Sequence, residues 1–260
     1  MHGCSRGNRQ DMHKLFVTWQ DPDTRTWHPV GRLSYDQGTY QFAYTRGAKT
    51  SKKFVPFGRM LDLGVVYLSN ELFPLFANRL LPKSRPEYRD YLKWLGLDET
   101  KADEMEMLAR SGGQRATDSL EIVPCPEPSA QNRYEVHFFS HGLRHLSEKD
   151  QARAAALHVD ERLFVMQDRQ NKSDPMALLL RTDDPMSMVG YVPRYYSAEF
   201  STVMDQVGQG NVRVTVERVN PDAPSNFRLL CKFVSPWPNG FAPCAQGEFQ
   251  LISSGAAAPQ

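Results

Sequence analysis

Three histidines, His137, His141 and His145, stand four residues apart. On a helix that spacing lines one face and can hold a metal ion. Here YEVHFF reads as a strand and Gly142 interrupts any helix, so solvent-facing or locally bonded histidines are expected, and no metal. Cys4, Cys125, Cys231 and Cys244 form no C-x-x-C pair, which argues against both a disulfide framework and a zinc signature. GGQRAT lacks the lysine with which a phosphate-binding loop reaches its nucleotide. No Ser/His/Asp order and no pair of catalytic carboxylates stands out. The expectation is a chain without catalytic residues or cofactor, whose chemistry is binding. The loop RGAKTSKK, with Arg46, Lys49, Lys52 and Lys53, carries enough charge to touch phosphates, though such loops are more often simply solvated.

The 260 residues suit two domains, each with its own core. Hydrophobic content of 40% and charged content of 23% are those of a soluble globular protein. No apolar run approaches the roughly 20 residues of a membrane span, and MHGCSRGNRQDMHK has no apolar signal core. The expectation is a cytoplasmic protein with a frayed start, Met12 lying near the natural beginning. Net charge is +1, and residues 132–252 hold 13 Lys and Arg against 14 Asp and Glu. Tight non-specific binding of duplex DNA, which needs many neutralised phosphates, is therefore disfavoured. A local pocket for one strand end or a few nucleotides remains compatible with that charge.

Alternating residues in KLFVTW, WHPVGRLSY and TYQFAYT predict an antiparallel meander. From Leu68 the apolar spacing becomes helical, over SNELFPLFANRLLP, then SRPEYRDYLKWLGL ending at Gly96, then DETKADEMEMLARSGG, capped by Asp98 and ended by Gly112. SLEIVP returns as a strand, and the Pro-rich PCPEPSAQN reads as a linker. Beyond it YEVHFF is a strand and SEKDQARAAALHV a helix capped by Ser147. The organising stretch is Leu163 to Tyr196: strand LFVM, turn QDRQNKSDP, strand MALLLRT, turn TDDP, and strand MVGYVP ended by Pro193. A helix from Ser197, the strands NVRVTVERV and FRLLCKFV, and EFQLI as a closing strand complete the pattern.

In this stretch Asn171, Asp174, Pro175, Ala177, Gly190, Tyr191, Val192 and Pro193 follow the pattern of HIRAN domains, and GLRHL (Gly142 to Leu146) matches an upstream segment of that family. The resemblance implies a small antiparallel β-barrel related to OB-folds that binds single-stranded DNA, notably free 3′ ends. It also implies that Arg144 contacts phosphate and that Asp174 accepts from the terminal hydroxyl. Physical chemistry agrees, because a guanidinium grips phosphate bidentately while a carboxylate accepts a hydroxyl and repels a phosphate. Asp174 is equally suited to an internal Asx-type turn, and both roles stand open. Family positions for base-stacking tyrosines carry His145 and Ser173 here; Tyr191, Tyr195, Tyr196, Phe138 and Trp237 are the candidate replacements. Arg169, Lys172 and Arg194 are candidates for backbone contacts.

The first half resembles the N-terminal subdomain of HipA-like kinases through Val30, Gly31, Leu33, Leu80, Leu81, Pro82, Leu95, Gly96, Leu97, Leu108, Gly112 and Gly113. No kinase core follows it, so the resemblance implies a regulatory, antitoxin-like subunit that packs on a separate kinase, as in a split bacterial toxin–antitoxin pair. The whole reads as an α+β chain. Its expected parts are a flexible start over 1–13, a β-meander-plus-helices domain over 14–123, a linker over 124–132, a HIRAN barrel with two short helices over 133–252, and a disordered tail over 253–260. Its leading expected role is non-catalytic recognition of single-stranded DNA or DNA ends, with the kinase-partner role as the alternative.

Overall fold

The computed structural model describes residues 14–100, 102–115, 117–171, 174–253 and 257–259, the last three as backbone. The expected flexible start (1–13), Cys4, Met12, Lys172 and Ser173 lie outside them.

The chain is mixed α+β. The predicted meander forms as β1 (Lys14–Gln20), β2 (Trp27–Asp36) and β3 (Thr39–Tyr44), antiparallel in sequence order. β4 (Val66–Ser69) pairs with β3. The helix predicted over 69–82 shrinks to α1 (Pro74–Ala77). Pro74 suits a first helical position, but Phe73 before it holds an extended ψ of 140°, as a residue preceding proline prefers. α2 (Tyr88–Trp94) and α3 (Glu104–Ser111) follow, and β5 (Leu120–Pro124) lies beside β1. Asp98 does not cap α3; its carboxylate accepts from the Thr100 amide at 2.8 Å in a local turn.

In the second half, β6 (Arg133–Phe139) is followed by α4 (Glu148–Ala155), whose Ser147 cap accepts from the Asp150 amide as expected. The organising stretch supplies β7 (Arg162–Gln167), β8 (Leu178–Arg181) and β9 (Met188–Tyr191). α5 (Arg194–Val207) starts three residues earlier than expected, directly after Pro193. β10 (Arg213–Val219) and β11 (Leu229–Pro236) complete this part. The tail expected to be disordered contains β12 (Ala257–Pro259), parallel to β4.

Two compact units result: 1–80 with 104–125 and 244–260, and 81–103 with 126–243. This division differs from a simple halving in two places. The segment bearing α2 joins the second unit because Tyr91 and Trp94 pack on Phe227, at 6.0 and 6.5 Å between ring centroids, and the Asn220 side chain donates to the Trp94 carbonyl. EFQLI does not close the barrel. Phe249 meets Phe16 edge-on at 4.8 Å and Leu251 bridges Thr45, both in the first unit.

The first unit's sheet runs β12-β4-β3-β2-β1-β5 over a core that includes Leu33, Phe42, Tyr44, Phe73, Phe76 and Leu108. Glu121 on β5 is an exception to its apolar surroundings. Oε1 accepts from Gln114, Oε2 is buried without a partner, and desolvation pushes the carboxyl up to about 8.

The second unit is a six-stranded antiparallel sheet, β6-β11-β10-β7-β8-β9, curled into a half-barrel. Alternation on β6 buries Tyr134, Val136 and Phe138 and turns Glu135 outward to Lys232 at 2.8 Å. The inner faces meet around Phe200 of α5, whose ring lies 4.1 Å from Phe233, 5.1 Å from Tyr196 and 5.5 Å from Phe138. The curl returns β9 to the chain just after β6. His141 and Tyr191 exchange both backbone hydrogen bonds at 2.9 Å, and the Ser140 hydroxyl donates to the Val189 carbonyl at 2.7 Å. Only glycine fits between them. A Cβ on Gly190 would lie 2.1 Å from Ser140 Oγ and 2.6 Å from the His141 carbonyl oxygen, at a φ of +104°.

Two outcomes are expected. Gly190→Ala should destabilise the second unit by about 2–4 kcal/mol in chemical denaturation, combining backbone strain with a clash. Glu121→Gln should match the parent near pH 4.5 and outlast it above pH 8. The folded carboxyl titrates higher than the unfolded one, so the parent loses stability as pH rises between those values. The gap should reach on the order of 1–3 kcal/mol, and thermal melts across pH measure it directly.

Candidate nucleic-acid interface

The barrel closure sets the site. Immediately after the His141 bridge, Gly142 takes a φ of +78° and starts a 3-10 turn over Leu143–His145. Leu143 is buried and anchors the turn, leaving Arg144 and His145 exposed. Arg144 Nε donates to His145 Nε2 at 3.0 Å. The terminal nitrogens of Arg144 have no protein partner among the described residues. His141 itself is desolvated, which lowers its imidazole to about 4 and keeps it neutral at physiological pH.

Tyr191, across the closure, lays its ring beside Gly142: a Cβ there would meet the ring at 3.4 Å. Its hydroxyl donates to Asp168 Oδ2 at 3.0 Å. Burial, then the hydrogen bond to Asp168, raises the phenol's pKa, so it stays protonated.

Asp168 opens the β7–β8 turn, and the rest of that turn is tied to it. Its Oδ1 accepts from the Gln170 amide at 3.1 Å, and its backbone carbonyl accepts from the Asn171 amide at 3.2 Å. Asn171 Oδ1 accepts from the Asp174 amide, and Asp174 Oδ1 from the Met176 amide, each at 3.0 Å. Asp174 is thus a turn cap, one of the two roles open from sequence. Its other oxygen faces Arg194 Nε at 3.6 Å, and the side chain is 14% exposed.

The sequence-derived residues separate accordingly. Tyr191, Asp174 and Arg194 belong to one chain of contacts with Asp168 and Asn171, and Arg144 and His145 sit at its other end, on the turn beside the Tyr191 ring. Arg169 is exposed, with Nε 3.4 Å from Gln167. Tyr195 packs on Tyr196 at 4.5 Å. Tyr196 and Phe138 are core residues around Phe200 rather than base platforms, and Trp237 leans on Tyr134 at 5.9 Å.

Two features escape the sequence reading. Asp168 was foreseeable, since it starts the same run of turn-forming residues as Asp174. The second is Phe164 of β7, with the guanidinium carbons of Arg162 and Arg181 each 4.9 Å from its ring centre. The i, i+2 spacing of Arg162 and Phe164 is legible, but Arg181 joins only through the β7–β8 register.

The histidines do not converge: His137 faces Glu217 at 3.9 Å, His141 is in the closure, and His145 bonds Arg144. Among the described residues, no group of three or more His, Cys, Asp or Glu is placed to hold a metal. No helix among them is long and apolar enough to cross a membrane.

No curated protein matches the chain. Two solved structures resemble part of it. A protein from Lactobacillus plantarum shares 19% identity over 40% of this chain and 96% of its own, with a TM-score of 0.33. The HIRAN domain of human HLTF shares 16% identity over 39% of this chain and 74% of its own, with a TM-score of 0.30. Residues 134–238, which contain the closure, both turns and every contact of the cluster just described, match the family model of the HIRAN domain.

Proposed function

We propose that the chain is a non-catalytic DNA-binding protein whose barrel takes a single strand at its free 3′ end. The observation that carries this reading is the pairing of two turns across Tyr191. One turn offers a guanidinium with unpartnered terminal nitrogens, and the other a carboxylate already held in position. Arg144 takes the phosphate, because charge-assisted, bidentate bonds are what a free guanidinium fork makes best. Asp174 accepts the terminal hydroxyl on Oδ2, its Oδ1 being committed to the turn. A further phosphate at that point would meet a carboxylate and be repelled. The Tyr191 ring and His145 flank the strand, and Arg169 adds charge at the turn tip. Lys172 lies outside the described residues and is assigned the same role from the sequence alone.

The alternative role, a subunit that packs on a HipA-like kinase through the first half, calls for an apolar docking face on its helical segment. Among the described residues, the exposed large hydrophobic ones are Val55, Leu61, Val159, Met166, Met176, Met186 and Met188, and none of these lies between 68 and 112. The surface therefore favours the DNA reading.

Fluorescence anisotropy with short single strands ending in 3′-hydroxyl or 3′-phosphate tests it. The hydroxyl end should bind more tightly, and Arg144→Ala should weaken it about tenfold, the worth of one charged hydrogen bond. Asp174→Asn keeps an acceptor for the Met176 amide but removes the charge, so it should erase the preference for hydroxyl over phosphate while leaving the unfolding midpoint near the parent's. Equal, negligible binding of both ends by the parent would reject the proposal.

A further inference from the structure

The first unit holds a cavity of about 610 Å³, within the range of about 300–1,000 Å³ typical of small-molecule sites. It lies between the loop Phe57–Met60, helix α1 and the approach to β5. Both of its walls are fixed from below. The buried Tyr44 hydroxyl accepts from the Phe57 amide at 2.6 Å and donates to the Met60 carbonyl at 2.7 Å, holding the loop at each end. Opposite, the Arg79 side chain is 2% exposed. It donates to the carbonyls of Leu75 at 3.1 Å and Gly113 at 2.7 Å, and bidentately to Asp118 at 3.2 and 2.5 Å. A cavity held this way does not need to be ordered by its ligand, which removes one of the main costs of binding.

The lining carries a clear chemical bias. Phe57, Met60, Phe73, Pro74 and Leu75 make an apolar floor. Three arginines line the cavity against one aspartate, and that aspartate is consumed by Arg79. Arg59 and Arg115 are exposed, and neither has a hydrogen bond or ion pair among the described residues. Surface arginines commonly lack partners. Two at the mouth of one preformed apolar cavity, whose one lining carboxylate is already neutralised, leave a positive field that no described residue of the lining answers.

We propose that this cavity binds a small organic anion. Its apolar, ring-bearing body lies among Phe57, Met60, Phe73 and Leu75, and its carboxylate or phosphate head rests on Arg59 and Arg115. The site is independent of the barrel and of DNA.

The probe is 8-anilinonaphthalene-1-sulfonate, compared with N-phenyl-1-naphthylamine, the same skeleton without the anion. Titrated into the full chain, the sulfonate should saturate a single site with enhanced fluorescence. Arg59→Ala with Arg115→Ala should raise its Kd at least about tenfold, while the neutral skeleton should change by less than about twofold. Both arginines are unpartnered, so the unfolding midpoint should not move. Arg59→Gln and Arg115→Gln, tested singly, keep the aliphatic stem and a polar end while removing the charge, and must each weaken the sulfonate. The proposal is overturned if the folded double variant binds the sulfonate as the parent does. Failure of the parent to show one saturable site, or an equal loss for the neutral skeleton, would overturn it as well.

Discussion

The second unit depends on one close approach. Where β9 returns to the end of β6, two backbone hydrogen bonds and one hydroxyl bond form only because residue 190 has no side chain. A side chain there would push Ser140 and His141 away from Val189 and Tyr191. The consequence reaches well beyond one bond pair. The closure sets where Gly142 begins its turn, and hence where Arg144 emerges. It also sets the position of Tyr191, whose hydroxyl holds Asp168 and through it the β7–β8 turn. Two loops distant in sequence become neighbours through a backbone contact that contains no functional side chain.

Asp174 holds a turn and, on the proposed reading, would also meet the ligand. A carboxylate has about four acceptor sites. Here one oxygen takes a backbone amide and the other faces a guanidinium at 3.6 Å, long for a hydrogen bond and close enough to fix orientation. The choice between turn cap and ligand group, open from sequence, is therefore not exclusive. Capping immobilises the carboxylate before any ligand arrives. The free lone pairs of Oδ2 remain available to a hydroxyl.

What was legible in the sequence follows the range of the interactions involved. The strands β1, β2, β3 and β6 and the Ser147 cap of α4 rest on local pattern, and they read correctly. The strands of the organising stretch were equally plain, because polar turns bracket them. α1 failed because apolar spacing over 69–82 looks helical, while Pro74 and the extended residue before it confine the helix to Pro74–Ala77. The allegiance of α2 and of 247–251 was hidden for a different reason. It rests on Phe227 and on Phe16, partners more than a hundred residues away, and no local pattern encodes such packing. In the candidate site, Arg144, Asp174 and Tyr191 were singled out through family-like motifs, and Arg194 only as a nearby cation. Asp168 was missed although its chemistry equals that of Asp174, and Tyr196 and Phe138 were offered as platforms when their rings fill the core around Phe200.

The balance of charge in residues 132–252, 13 basic against 14 acidic, constrains what such a site can do. Affinity for nucleic acid that comes from many phosphate contacts is strong, unselective and sharply weakened by salt. A barrel of near-zero net charge has little of that component, so discrimination must come from a few well-placed groups. On the proposed reading, carboxylates beside the turn would act as a filter. Asp168 and Asp174 would oppose the phosphates of a strand that continues past them, and a strand that ends there would avoid the repulsion. Near-neutrality would then weaken binding along the length of a strand while sharpening the distinction between its end and its middle.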